Sequence, residues 1–207
     1  MVCKIKLCGM MRKDDISFVN EALPEYAGFV FADTRRKITG KDAARFRDIL
    51  DDRIKAVGVF VNADIDYVVR LLEDGIIDIA QLHGDEDNDY ILRLKELTGK
   101  PVIKAIRVRD VNCIDNIDTH PADYFLMDAY VKGLPGGTGE SFDWNIVDTY
   151  KKTSNKPLFL AGGININNCQ KAMNYEPFAL DISSGIETDG YKDKDKIIEI
   201  CRRIRNV

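Results

Sequence analysis

A chain of 207 residues with 45% hydrophobic and 31% charged side chains has the apolar content for a sizeable core, which excludes a disordered or collagen-like polymer. Thirty basic against 34 acidic side chains leave a formal charge of −4, so no broad cationic field exists to attract nucleic acid or a membrane surface, and neither is an expected partner. No apolar run approaches the roughly 20 residues of a bilayer span, the N-terminal MVCKIKLCGM lacks a signal-peptide core, and five scattered cysteines without CxxC spacing point to free thiols: a cytoplasmic protein without a metal centre is expected.

Eight short β-rich runs follow one another along the chain, at 4–8, 28–31, 56–61, 79–82, 102–106, 124–127, 158–160 and 178–182. Segments of helical periodicity separate them, at 16–23, 41–50, 65–74, 89–98 and 166–174, with shorter ones near 112–117 and 144–151 and a last one at 195–205. Runs that are apolar on both faces suit parallel strands covered by helices. Eight units of about 26 residues sit near the lower size limit of a single (β/α)8 TIM barrel, so one α/β barrel domain over 1–207 is the expected fold. An open doubly wound sheet is the alternative, because periodicity does not show closure.

In a parallel barrel the reactive groups stand where strands exit, so each exit carries information. The first strand exits at Cys8-Gly9, the second toward Thr34-Arg35-Arg36-Lys37, and the fourth through Gln81-Leu82-His83-Gly84. Asp128 follows the sixth, Gly162-Gly163 the seventh, and Asp181-Ile182-Ser183-Ser184-Gly185 closes the eighth. The small-residue loops after strands seven and eight are where barrels commonly hold phosphate, with glycines allowing close backbone approach and N–H groups near helix N-termini attracting the anion. Taken singly, each feature has a plain structural reading: Cys8 as a small buried hydrophobe, Asp128 as a cap, His83 as a satisfied loop histidine, Arg36 as an exposed basic loop. His120 falls at the opposite rim and is expected to be structural. The run GGTGES at 136–141 lacks the lysine of a P-loop and is expected to be a flexible loop beside the site.

Taken in order, Lys6-Leu7-Cys8-Gly9, Gly28-Phe29-Val30-Phe31 with Arg36, Gly58-Val59-Phe60-Val61-Asn62, Gln81-Leu82-His83-Gly84, Asp128, Gly137-Thr138-Gly139 with Phe142-Asp143-Trp144, Ala161-Gly162-Gly163-Ile164 and Asp181 to Glu187 resemble the phosphoribosylanthranilate isomerase family of tryptophan biosynthesis. The resemblance covers nearly the whole chain. It implies an Amadori rearrangement of N-(5′-phosphoribosyl)anthranilate, a small phosphorylated substrate, with no metal or organic cofactor. It further implies Cys8 as the general base at C2′ and Asp128 as the general acid at the ribose ring oxygen. Arg36 would hold the anthranilate carboxylate with Gln81 and His83 nearby, Asp181 would line the site, and Gly162, Gly163, Ser183, Ser184 and Gly185 would bind phosphate. Nearby cations are expected to raise the thiolate fraction of Cys8.

Two positions depart from the family pattern. Met11 replaces a usual threonine, leaving open how the first loop is capped, and Asp33 puts an acid near Arg36 that is expected to weaken carboxylate binding. A related phosphoribosyl isomerase of histidine synthesis, which has an aspartate where Cys8 stands, and a non-catalytic phospholigand-binding barrel remain the alternatives. The chain is compatible with a monomer.

Overall fold

The computed structural model describes residues 3–108, 113, 117–129 and 144–206. Eight strands, β1 (Lys4–Cys8), β2 (Tyr26–Val30), β3 (Lys55–Phe60), β4 (Ile79–Leu82), β5 (Val102–Val108), β6 (Tyr124–Ala129), β7 (Leu158–Leu160) and β8 (Ala179–Ile182), pair in sequence order. All the pairs are parallel, and β1 bonds β8, so the sheet closes and the open-sheet alternative falls. The closing register sets Lys6 beside Asp181 and Leu7 beside Ile182.

Strand parity sorts the side chains. On β1, Ile5 and Leu7 join the large core between sheet and helices, whereas Cys8 joins Val30, Ala32 and Val59 in a small apolar cluster at the upper end of the barrel. The barrel interior below is filled by residues such as Tyr26, Val57, Ile103, Leu126 and Phe159. Phe159 meets Tyr26, Tyr124 and Phe178 at ring-centre distances of 5.3, 5.7 and 5.5 Å, largely edge to face, and the Lys4 ammonium lies 4.5 Å over Phe178. These rings fill the barrel's lower interior.

The helices are α1 (Lys13–Ala22), α2 (Gly40–Arg47), α3 (Ile65–Glu73), α4 (Asn88–Thr98), α5 (Ile146–Thr153), α6 (Cys169–Met173) and α7 (Lys194–Arg205). Asp64, Asp87 and Asp193 cap α3, α4 and α7 by accepting from backbone N–H groups of the first turn. Between β5 and β6 the described residues hold a 3-10 turn at Ile117–Thr119; the helix expected near 112–117 lies mostly outside them. Helix α6 is shorter than its periodicity predicts, because Asn165 and Asn168 spend their side chains on the preceding loop. A hairpin of β9 (Glu187–Thr188) and β10 (Tyr191–Lys192) stands before α7 and was not expected. The Asp189-Gly190 pair at its tip, both residues at positive φ, is the turn signal that marks it.

The first loop needs no threonine in place of Met11. Asp15, fully buried, accepts from the N–H groups of Met11 (2.9 Å) and Arg12 (3.0 Å) with Oδ2, and from the Arg12 guanidinium with Oδ1. His120 sits where β6 begins, edge-on to Phe125 at 5.4 Å, with its pKa lowered by burial and by the Lys104 and Lys156 charges, as a structural residue should. Among the described residues no helix is long and apolar enough to cross a membrane. Asp15→Ala strands these donors and is expected to lower stability by about 2 kcal/mol. A urea titration checks this: the midpoint should fall with an unchanged slope, and an unchanged midpoint refutes the capping role.

Candidate active site

One cup of about 750 Å³, measured to its open mouth, lies over the upper end of the barrel, and residues from most of the eight strands or the loops after them reach it. Cys8 of β1 and Asp128 of β6 both line it, each nine-tenths buried. Asp128 is still inside its strand, which ends at Ala129 and not at Met127 as expected, because β6 runs on to pair with the long β5 and sets Asp128 beside Arg107. Room for the Cys8 sulfur comes from Gly28 on the adjacent strand. A Cβ there would lie 2.6 Å from Sγ, inside contact distance. Gly9 turns the chain at φ 88°, and a Cβ on it would strike Arg36 Cδ at 2.5 Å.

The walls differ in character. Val30, Ala32, Val59 and Val61 form an apolar side contributed by β2, β3 and their exits. Gly162, Gly163, Ser183 and Ser184 form another side from the loops after β7 and β8. Gly162 and Gly163 both take positive φ, and the Gly163 carbonyl accepts from the side-chain amides of Asn165 (3.0 Å) and Asn168 (2.9 Å), which fixes the loop. Gly185 is not a wall of the cup. A Cβ there would fall 2.0 Å from the Ile164 carbonyl oxygen, so its lack of a side chain lets the two loops touch, as the Asn165–Gly185 bridge shows. The expected helix N-termini do not stand at these loops: the first starts only at Cys169, and after β8 a single turn at Ser183–Glu187 leads into the hairpin. Any anion here would meet loop amides and hydroxyls.

Gln81 and His83, two residues apart on β4 and its exit, both face the cup, as the period of a strand requires. Gln81 Nε2 lies 3.3 Å from His83 Nδ1, and His83 Nε2 lies 3.4 Å from Asp128 Oδ2. Gln81 Oε1 and His83 Nε2 are buried without a hydrogen bond among the described residues, the state of groups that await a ligand.

Arg36 lines the cup at 8% exposure and is not a loose surface residue. Its Nε and a terminal nitrogen donate to the two Glu187 oxygens at 2.8 and 3.0 Å, a bidentate fork. Glu187 also pairs with Arg35 and accepts from Lys192 Nζ at 2.7 Å, and Lys192 donates to the Ser183 carbonyl at 2.9 Å. Burial works to raise the Glu187 pKa, but the Arg36 hydrogen bonds and the Lys192 charge outweigh it and hold the carboxyl down at about 2. Asp33 does not compete for Arg36: its side chain is 99% exposed, 3.5 Å from Lys37. The acid on Arg36 is Glu187, present in the sequence motif but unassigned there.

Beneath the cup floor, Lys6 is fully buried and donates to Asp181 Oδ1 at 2.8 Å. Burial raises the Cys8 thiol above its ordinary value. Lys6 and Lys192 pull it down and Asp181 pushes it up, and burial prevails. The expected pull of nearby cations toward the thiolate is present, in Lys6 and Lys192, but desolvation of the sulfur outweighs it. Sequence reasoning passed over Lys6 and Lys192. A lysine at an inward strand position is the available signal for the first, and the second follows only from the hairpin. The 136–141 loop and Asp143 lie outside the described residues.

A family model described as N-(5′-phosphoribosyl)anthranilate (PRA) isomerase matches residues 5–203. N-(5′-phosphoribosyl)anthranilate isomerases from Endomicrobium trichonymphae and Clostridium acetobutylicum are 50% and 44% identical, covering 99% of both chains in the first case and 98% of both in the second. The crystal structure of phosphoribosyl anthranilate isomerase from Thermus thermophilus superposes with a TM-score of 0.86 at 28% identity over 98% of each chain. Another isomerase structure, in complex with reduced 1-(o-carboxyphenylamino)-1-deoxyribulose 5-phosphate, matches at TM-score 0.86 and 28% identity over 99% of this chain and all of that one.

Glu187→Gln is expected to loosen the Arg36 fork. Substrate KM should rise about tenfold while kcat stays within about threefold of the parent, the scale of one charged hydrogen bond. Steady-state kinetics decide it, and an unchanged KM contradicts the assignment.

Proposed function

Because the chain belongs to the N-(5′-phosphoribosyl)anthranilate isomerase family and catalyses the Amadori rearrangement of that substrate to 1-(o-carboxyphenylamino)-1-deoxyribulose 5-phosphate in tryptophan biosynthesis, we propose that its one barrel domain, residues 1–207, does so with Cys8 as general base and Asp128 as general acid. The observation that carries this reading is that the thiol and the carboxyl line a single cup with an apolar side and a glycine-serine side.

The substrate has a matching division. Its phosphate fits against Gly162, Gly163, Ser183 and Ser184, where backbone N–H groups and the Ser184 hydroxyl can donate to it, the Ser183 hydroxyl being given to the Cys8 carbonyl at 3.2 Å. Its aromatic ring fits the wall of Val30, Ala32, Val59 and Val61, and Arg36, held from behind by Glu187, presents a guanidinium edge to the ring carboxylate. The furanose then lies between β1 and β6. Asp128 delivers a proton to the ring oxygen as the C1′–oxygen bond breaks, helped by the electron pair on the anthranilate nitrogen. The iminium so formed acidifies the C2′ hydrogen, and the Cys8 thiolate removes it to leave an enolamine that ketonises. Gln81 and His83 offer polar atoms on the Asp128 side of the sugar, and Asp181 lines the floor. Anchoring both ends of the substrate fixes the pentose before chemistry starts, which contributes several kcal/mol to the barrier reduction.

Cys8→Ser and Asp128→Asn should each lower kcat by about a hundredfold or more while the thermal midpoint stays within a few degrees. Near-parental turnover in either variant overturns its role. Since the thiolate and the protonated carboxyl are needed together, log kcat/KM should fall on both the acid and the alkaline side of a plateau. A profile that climbs or falls without a plateau contradicts this acid–base pair.

A further inference from the structure

Lys6 has no part in the chemistry just described, yet the barrel holds its ammonium in full burial immediately below the reacting cup. Strand parity and register dictate its place. Lys6 and Cys8 share the inward face of β1, and the β1–β8 pairing sets Lys6 opposite Asp181, whose carboxylate accepts from it at 2.8 Å. Below it lie the aromatic rings that fill the barrel, and above it lies the Cys8 sulfur. An interior ion pair is a poor way to gain stability, because desolvating two charges offsets most of their attraction and an apolar pair of similar volume serves as well. Its position under the sulfur calls for a different explanation.

We infer that Lys6 is the positioning residue for the proton transfer: its ammonium, clamped by Asp181, is the fixed positive charge against which the Cys8 sulfur ionises and toward which it is oriented. The inference rests on Cys8 being the base. Lys6 stays protonated throughout; its own pKa is pulled down by burial but raised further by Asp181 and Cys8, with a net shift upward. It thus lends charge and gives up no proton. The thiol proton leaves to solvent before the substrate is committed, and the vacant sulfur then accepts the C2′ proton.

The other charged groups around the sulfur are accounted for. From β8 comes Asp181, which opposes ionisation; from β10 comes Lys192, which favours it but is shared with Glu187 and the Ser183 carbonyl; from the loop after β2 comes Arg36, whose stem packs on Gly9 and whose charge is turned to Glu187. Lys6 is the strongest of the groups that favour the thiolate, and its single carboxylate partner leaves it able to serve the sulfur as well.

The test is the pH dependence of Cys8 alkylation by iodoacetamide, followed by peptide mass spectrometry so that Cys3, Cys113, Cys169 and Cys201 do not interfere. It is run on the parent, Lys6→Met, Asp181→Asn and the double variant, beside kcat and KM. Lys6→Met should move the alkylation midpoint up by about one pH unit or more, lower kcat at pH 7 by about tenfold, and leave KM within about threefold. Asp181→Asn should move the midpoint down, and the double variant should lie between parent and Lys6→Met. A folded Lys6→Met whose alkylation profile superposes on the parent overturns the inference. Should that single variant fail to fold, a parental profile in the double variant, or in Asp181→Asn, overturns it equally. Failure of the base assignment is separate and is read from Cys8→Ser: full turnover there removes Cys8 from the mechanism whatever the alkylation profiles show.

Discussion

The hydrogen-bonded seam between β1 and β8 is the constraint on which the site depends. It closes the sheet, and its register places Lys6 beside Asp181 and aims Cys8 into the barrel. A slip of one residue would turn Ile5 and Leu7 inward and send Cys8 among the helices, since side chains alternate along a strand. Closure also explains why groups far apart in sequence meet. Cys8 and Asp128 are separated by most of the chain yet line one cup, because β1 and β6 stand only three strands apart around the ring.

The chemistry of the cup follows from how charge is rationed within it. Buried cations around the cup are held by carboxylates, Lys6 by Asp181 and both Lys192 and Arg36 by Glu187, so that few charges stand unopposed where a neutral sugar must sit. Glu187 absorbs part of three positive charges and in return fixes the direction of the Arg36 fork. Its depressed pKa means that this support is complete above the ordinary carboxylate range and is lost only as pH falls toward about 2. Gln81 Oε1, buried without a hydrogen bond among the described residues, carries an opposite message: here the fold stops short of self-satisfaction, and a substrate completes it.

Much of this was legible in the sequence because a parallel barrel converts order along the chain into position around a ring. The eight runs, the exits at Cys8, Gln81-His83 and Asp128, and the paired small-residue loops all follow from strand periodicity and turn chemistry, which are local. What escaped is what depends on contacts between distant segments. The role of Glu187 as the partner of Arg36 needed the β9–β10 hairpin to fold back over the first two strands' exits. Lys6 looked like an ordinary residue of a strand until the β8 register supplied its partner. At Gly185 the approach of the Ile164 carbonyl, which leaves no room for a side chain, was equally invisible along the chain. The strength of desolvation at Cys8 likewise depends on how tightly neighbouring strands enclose it, and no pattern along the chain encodes that.

The central claim is geometric: one pentose lies between the thiol and the carboxyl, tethered at both ends. A crystal structure of this chain with the reduced, unreactive ketose phosphate product tests it most directly. The account predicts Cys8 Sγ about 3.5 Å from C2′ with the Asp128 carboxyl across the sugar, the phosphate against the Gly163 and Ser184 loops, and the ring carboxylate on Arg36. A sugar bound with C2′ turned away from the sulfur, or a phosphate seated on Arg36, would contradict it.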